Sequence, residues 1–207
     1  MSRTIIRGSL LAAAVALVLF RSYWAKAEDA SPTMTIYVSQ SGDDDNFDGL
    51  TPDTAKKTVA GAIAAVGSAS PAEILILPST TAYTLGTPAN AAAASVTIQT
   101  ALTIRSTTGR SEDVVLKLAG YRMFEMKNAD AAIRDVPLDG GMTGPSRGAD
   151  KDGAYAVWIR AAGGTVSNCV IRNCRYAHTS NGGRWNDSVV CAEGGTVRDC
   201  VITNNVA

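Results

Sequence analysis

The sequence predicts an all-β chain wound as a solenoid of short parallel strands. Three observations predict it: an internal repeat near 31 residues, strand-like runs broken by Gly and Asn, and no 3.6-residue apolar periodicity across residues 95–207. Residues 163–173, Gly-Gly-Thr-Val-Ser-Asn-Cys-Val-Ile-Arg-Asn, recur at 194–204 with eight of eleven positions identical, an offset of 31. A degenerate third copy, Ile133 to Leu138, aligns with Val166 to Ile171 at an offset of 33. One solenoid turn needs two or three short β-favouring runs separated by corners. Gly supplies positive φ at such corners, and Asn tolerates it while bonding backbone with its amide. Val157-Trp158-Ile159 and Val189-Val190-Cys191 precede the Gly-Gly pairs, so each repeat carries at least two strands. Helical and leucine-rich repeats lack support without a helical apolar period. An antiparallel β-sandwich also uses short strands, but it predicts no identity at 31 residues.

The first 27 residues read as a signal peptide. Arg3 and Arg7 precede the apolar run Leu10 to Phe20, and Ala25-Lys26-Ala27 is a small-x-small cleavage site, with cleavage expected after Ala27. Eleven helical residues reach about 16 Å against a hydrocarbon core of about 30 Å. The alternative, an uncleaved anchor extended through Tyr23 and Trp24, is interrupted by Arg21. The chain is therefore expected to be secreted, periplasmic or at the cell surface. Its balanced charge hides a split, because the 19 basic residues include Arg3, Arg7, Arg21 and Lys26, which leaves 15 against 19 acids in the mature part. A surface near −4 argues against nucleic acid, which requires a dense basic face.

Residues 28–72 are expected to cap the solenoid and 73–207 to form its rungs. Met34 to Ser39 is a strand-like run, followed by the acidic loop Ser41 to Gly49. Thr51-Pro52 is a helix-start signal, and Val59, Ile63 and Val66 make one narrow apolar stripe among alanines. Such a helix suits covering the open cross-section of a first rung. Ile74 to Leu77, Val96-Thr97-Ile98 and Leu102-Thr103-Ile104 read as the first rungs. No closing cap is expected after Asn204-Asn205-Val206-Ala207, so edge pairing or oligomerisation is expected there.

The series Tyr37-Val38-Ser39, Gly42, Asp45-Asn46, Asp48-Gly49-Leu50-Thr51-Pro52, Thr54-Ala55, Lys57-Thr58 and Ala62-Ile63 resembles the N-terminal segment of bacterial secreted right-handed parallel β-helix proteins. Leu102 to Arg105, Glu112 to Val115 and the Gly-Gly-Thr-Val-x-x-Cys-Val-Ile-x-Asn runs resemble the same group, over most of residues 35–207. The resemblance implies a pectate-lyase-like fold with an N-terminal capping helix. It also implies a group that holds both polysaccharide lyases and surface proteins without known activity. Phe47 interrupts the pattern, and Pro137 stands where the repeats carry Val170 and Val201. A proline donates nothing to a ladder, so that rung is expected to bend or lie at an edge.

No catalytic motif identifies itself, and enzymatic status stays open. Lyases of this fold, as the resemblance implies, gather Ca²⁺-binding acids and an Arg base on one face; no such cluster can be placed here. Asp43, Asp45 and Asp48 offer oxygens to Ca²⁺, but the loop lacks an EF-hand Glu at position twelve, where Thr54 stands, and a turn capped by carboxylates is favoured. No other cofactor is expected. Asp135 and Asp199 fall at equivalent repeat positions around Asn168 and would act as a glycosidase pair only if one stayed protonated. His178 is the sole histidine and has no Ser or Cys triad motif around it. Arg172, Arg175, Tyr176, His178, Arg184 and Trp185 form the candidate ligand-binding stretch, since aromatics and guanidinium groups suit sugar rings and uronate carboxylates. An ordinary polar connection is the plainer alternative.

Asn173 and Asn204 are candidates for an amide ladder, and Cys169 and Cys200 for a stack one rung apart. Cα atoms about 4.8 Å apart permit a bridge, yet parallel in-register Cβ vectors fit it badly, which favours buried free thiols. Cys174 and Cys191, opposite Asn205 and Arg160 by the 31-residue offset, are free or paired. The expected function is a secreted or surface-displayed scaffold or adhesion protein that binds a polysaccharide or cell-surface glycan. A polysaccharide lyase or glycoside hydrolase of the same fold is the alternative.

Overall fold

A computed structural model of the chain describes residues 31–85, 96–118, 123–140, 156–174 and 189–205. The expected signal peptide 1–27 lies outside these residues, as do Arg175, Tyr176, His178, Arg184 and Trp185. In chain order the elements are β1 (Met34–Val38), a 3-10 turn (Pro52–Thr54), α1 (Val59–Val66), β2 (Ala72–Ile76), β3 (Tyr83–Leu85), β4 (Val96–Ile98) and β5 (Leu102–Ser106). There follow β6 (Leu116–Leu118), β7 (Phe124–Met126), β8 (Ala132–Arg134), β9 (Pro137–Asp139) and β10 (Val157–Ile159). The last are β11 (Thr165–Ser167), β12 (Val170–Arg172), β13 (Val190–Ala192), β14 (Thr196–Arg198) and β15 (Val201–Thr203).

These strands form three sheets, ordered β1-β2-β5-β8-β11-β14, β3-β6-β9-β12-β15 and β4-β7-β10-β13. Every pairing between them is parallel. From β2 onward the chain visits the sheets in strict rotation, a mostly β architecture compatible with a solenoid. The register explains the core. Ile36, Ile74, Ile104, Ile133 and Val166 are successive partners in the first sheet, and none is more than 1% exposed. Leu116, Leu138 and Ile171 make the matching column of the second sheet, and Ile98, Met126 and Ile159 that of the third. Alternate residues point away, because side chains of a strand alternate faces.

The repeat appears in the register as expected: Val166 pairs with Val197 and Ile171 with Ile202 (31 on), while Ile133 pairs with Val166 and Leu138 with Ile171 (33 on). In the third sheet Val157 pairs with Val190, so Cys191 lies opposite Trp158 and not Arg160. The reason is a difference in corner length. Five residues, 160–164, join β10 to β11, whereas three, 193–195, join β13 to β14. At that corner Gly195 has φ 71°, and a Cβ there would strike Gly164 O and approach Ile159 Cγ2 to 2.9 Å. Stacked corners leave no room for a side chain.

Pro137 corrects the expectation of an edge rung, because β9 is the middle strand of its five-stranded sheet. Proline heads the strand, and pairing with β6 begins only at Leu138, so the ladder asks no amide of it on that side. The helix also begins later than Thr51-Pro52 suggests. Thr51 caps the 3-10 turn, and Thr58 is the N-cap of α1, its hydroxyl accepting from Gly61 N at 2.9 Å. Val59, Ala62 and Val66 are buried, Ile63 only partly, and α1 lies against β1, β2 and β3. At the other end of the sheets Val197, Val201 and Ile202 are 37%, 56% and 52% exposed, against 0% for Val166 and Ile171.

Candidate functional site

The last three links from first to second sheet, after β8, β11 and β14, are two-residue corners whose leading residue takes a left-handed backbone: Asp135 (φ 60°), Asn168 (φ 50°) and Asp199 (φ 55°). Asn and Asp bear this conformation at lower cost than other side chains. Asn168 Nδ2 donates to Asp135 Oδ1 at 2.7 Å, so an amide occupies the rung between the two carboxylates. After the second sheet the same backbone recurs at Asn173 (φ 55°) and Asn204 (φ 52°). Asn204 Nδ2 donates to Asn173 Oδ1 at 2.5 Å, and Asn173 Nδ2 donates to Asp139 Oδ2 at 3.0 Å. Arg172, the one described member of the candidate ligand-binding stretch, donates from Nε to the same Asp139 oxygen at 3.0 Å.

The acidic loop is built from turns. Asp43 Oδ1 accepts from Asp45 N and Asn46 N at 2.8 and 2.9 Å, while Oδ2 accepts from Asn46 Nδ2. Asp48 Oδ1 accepts from Thr54 Oγ1 at 2.6 Å and from Leu50 N at 3.0 Å. These bonds stabilise the anions and hold both carboxyls below the usual value, chiefly through Asn46 for Asp43 and Thr54 for Asp48. Asp44 fastens the loop to the helix start, its carboxylate accepting from Lys57 N, Thr58 N and Thr58 Oγ1. Among the described residues no three or more His, Cys, Asp or Glu gather to hold a metal ion.

The outer face of the third sheet brings together groups that the repeat alone does not reveal. Trp158 stands outward between Glu125 on β7 and Cys191 on β13. Its Nε1 donates to Glu193 Oε1 at 2.9 Å, and the Arg160 guanidinium carbon lies 3.9 Å from the ring centroid. Arg160 also reaches Glu125 at 3.4 Å and Glu193 at 3.5 Å, while Lys127 reaches Glu125 at 3.1 Å. The indole is thus pinned by a hydrogen bond at its edge and a cation over its face. Trp158 on β10 and Arg160, the first residue after it, are two apart, the spacing that puts side chains of extended chain on one face, which is the signal that points to them. On the first sheet Glu73 takes a two-pronged bond from Arg105, at 2.5 and 3.2 Å, with Arg134 3.8 Å away.

Cys169 and Cys200 are both free thiols, the first buried and the second half-buried, each just before paired strands β12 and β15. Each Sγ lies 3.2 Å from the carbonyl two residues back, Ser167 O and Arg198 O, and 3.7 Å from one in the preceding rung, Ile133 O and Val166 O. The two thiols shift each other in opposite directions, Cys169 lowering Cys200 and Cys200 raising Cys169, and burial raises Cys169 further. Cys174 is also buried, and its backbone N donates to Asn205 Oδ1 at 2.9 Å. No family model, no curated protein and no solved structure matches this chain.

Proposed function

We propose that the three sheets are the faces of a right-handed parallel β-helix of pectate-lyase-like type, that α1 caps its first turn, and that the exported chain is a surface scaffold that binds glycans. The pinned Trp158-Arg160 pair on the third sheet carries this reading. A fixed indole loses little freedom on binding, and its apolar body beside guanidinium and carboxylate groups matches the mixed surface of a sugar. Flat parallel faces with repeated outward positions also suit a linear polymer, which meets the same geometry at each rung. Arg172 and the stretch through Trp185 belong to the same proposal as a second contact region. Pairing of β13, β14 and β15 with another copy belongs to it as well.

The test is binding of the mature chain to a panel of neutral and acidic oligosaccharides by calorimetry, alongside Trp158→Ala. The proposal expects saturable binding that the substitution weakens by about 1–2 kcal/mol, roughly 5- to 30-fold. Equal binding by both proteins would remove Trp158 from the site. Unsaturated product released from polygalacturonate with Ca²⁺ would replace the scaffold reading with that of a lyase.

A further inference from the structure

We propose that Cys169 and Cys200 form a two-coordinate site for a soft metal ion of the Cu(I), Ag(I) or Hg(II) class, held between their sulfurs. This site is independent of the glycan reading. The two cysteines precede residues that are paired in register, Val170 with Val201, so their backbones repeat at the strand spacing of about 4.8 Å. Both sulfurs also meet equivalent carbonyls at equal distances, 3.2 and 3.7 Å in each rung. Equal side-chain placement on repeated backbones sets the sulfurs apart by about one strand spacing. A disulfide needs sulfurs about 2.05 Å apart and Cβ atoms near 3.8 Å, which in-register stacking does not supply. A linear sulfur-metal-sulfur bridge with bonds near 2.3 Å spans about 4.6 Å, and that does fit.

The surroundings select the class of ion. Val136 takes the equivalent position one rung earlier and is fully buried, so one side of the pair is closed by hydrocarbon. Hard cations require several oxygen ligands, and zinc prefers four ligands where this pair offers two. Thiolates favour soft ions. Binding breaks two S–H bonds, forms two sulfur-metal bonds and releases two protons to solvent. The bridge carries one negative charge with a monovalent ion and none with Hg(II).

The experiment titrates the reduced full chain with Ag(I), in a background carrying Cys174→Ser and Cys191→Ser, and follows thiolate-to-metal absorbance, proton release and thermal unfolding. The expected result is a tight step at one ion per chain, two protons released per ion and a higher unfolding temperature. Cys200→Ser, at a half-buried position, should keep the β-rich circular dichroism and lose the tight step; Cys169→Ser gives the second reading. Absence of that step, or its persistence in Cys200→Ser, overturns the proposal. So does recovery of the pair as a disulfide, lighter by the two thiol hydrogens, because sulfurs that close are not one strand spacing apart.

Discussion

Asp48 ties the acidic loop together with one carboxylate oxygen shared between Thr54 Oγ1 and Leu50 N, and its pKa is lowered from 3.8 as a result. A depressed folded pKa means that the unfolded chain binds the proton more readily, so this contribution is complete above the unfolded value and disappears as pH falls through the folded one. Asp43 acts in the same direction through Asn46. Asp48→Asn is therefore expected to lower stability at neutral pH and to flatten the loss of stability below about pH 4. Denaturant melts of both proteins at neutral and acid pH check this; parallel pH profiles would contradict it. The residue types in this loop reveal turn chemistry at once. Which oxygen meets which amide depends on how the loop folds over Thr54 and Thr58, and that does not show in spacing.

Elements follow from a period that is clear where copies are nearly identical and faint where they are not. The pairing of Val166 with Val197 is legible because eight of eleven neighbouring residues repeat. Three-residue strands such as β3, β6 and β7 are too short to display alternation, and only stacking on neighbours defines them. The opposition of Cys191 and Trp158 was hidden by a corner two residues longer in one copy, which shifts that sheet to an offset of 33. The Trp158-Arg160-Glu193 group is half legible: the i, i+2 pair shares a face by strand geometry, while Glu193 arrives from the next rung. Column packing yields a sharp prediction. Ile104→Ala, in the middle of the fully buried first-sheet column, should cost about 2–5 kcal/mol. Thr103→Ala, outward on the same strand, should change stability by about 0.5 kcal/mol or less. Urea unfolding of the two variants measures the contrast.

At the scale of the whole molecule, the two ends of the sheets differ. Beside β1 the chain is covered by its own segment, with Tyr37 N donating to Gly49 O and Lys56 N to Tyr37 O. Along β14 and β15, Val197, Val201 and Ile202 are exposed, on strands that end their sheets among the described residues. The proposed pairing between copies predicts association that grows with concentration in light scattering, and Val201→Lys should weaken it by setting a charge on the edge. Unchanged scattering would remove β15 from the contact.

The repeat in the later rungs depends on vertical stacking of residues 31 to 33 apart. Nuclear Overhauser contacts in the isotopically labelled protein test it most directly, around Ile133, Val166 and Val197. Parallel in-register strands predict amide-to-Hα contacts linking 133 with 166 and 166 with 197, without strong Hα-to-Hα contacts between those strands. Strong Hα-to-Hα contacts, the mark of antiparallel pairing, or no contact between these three residues would contradict the account.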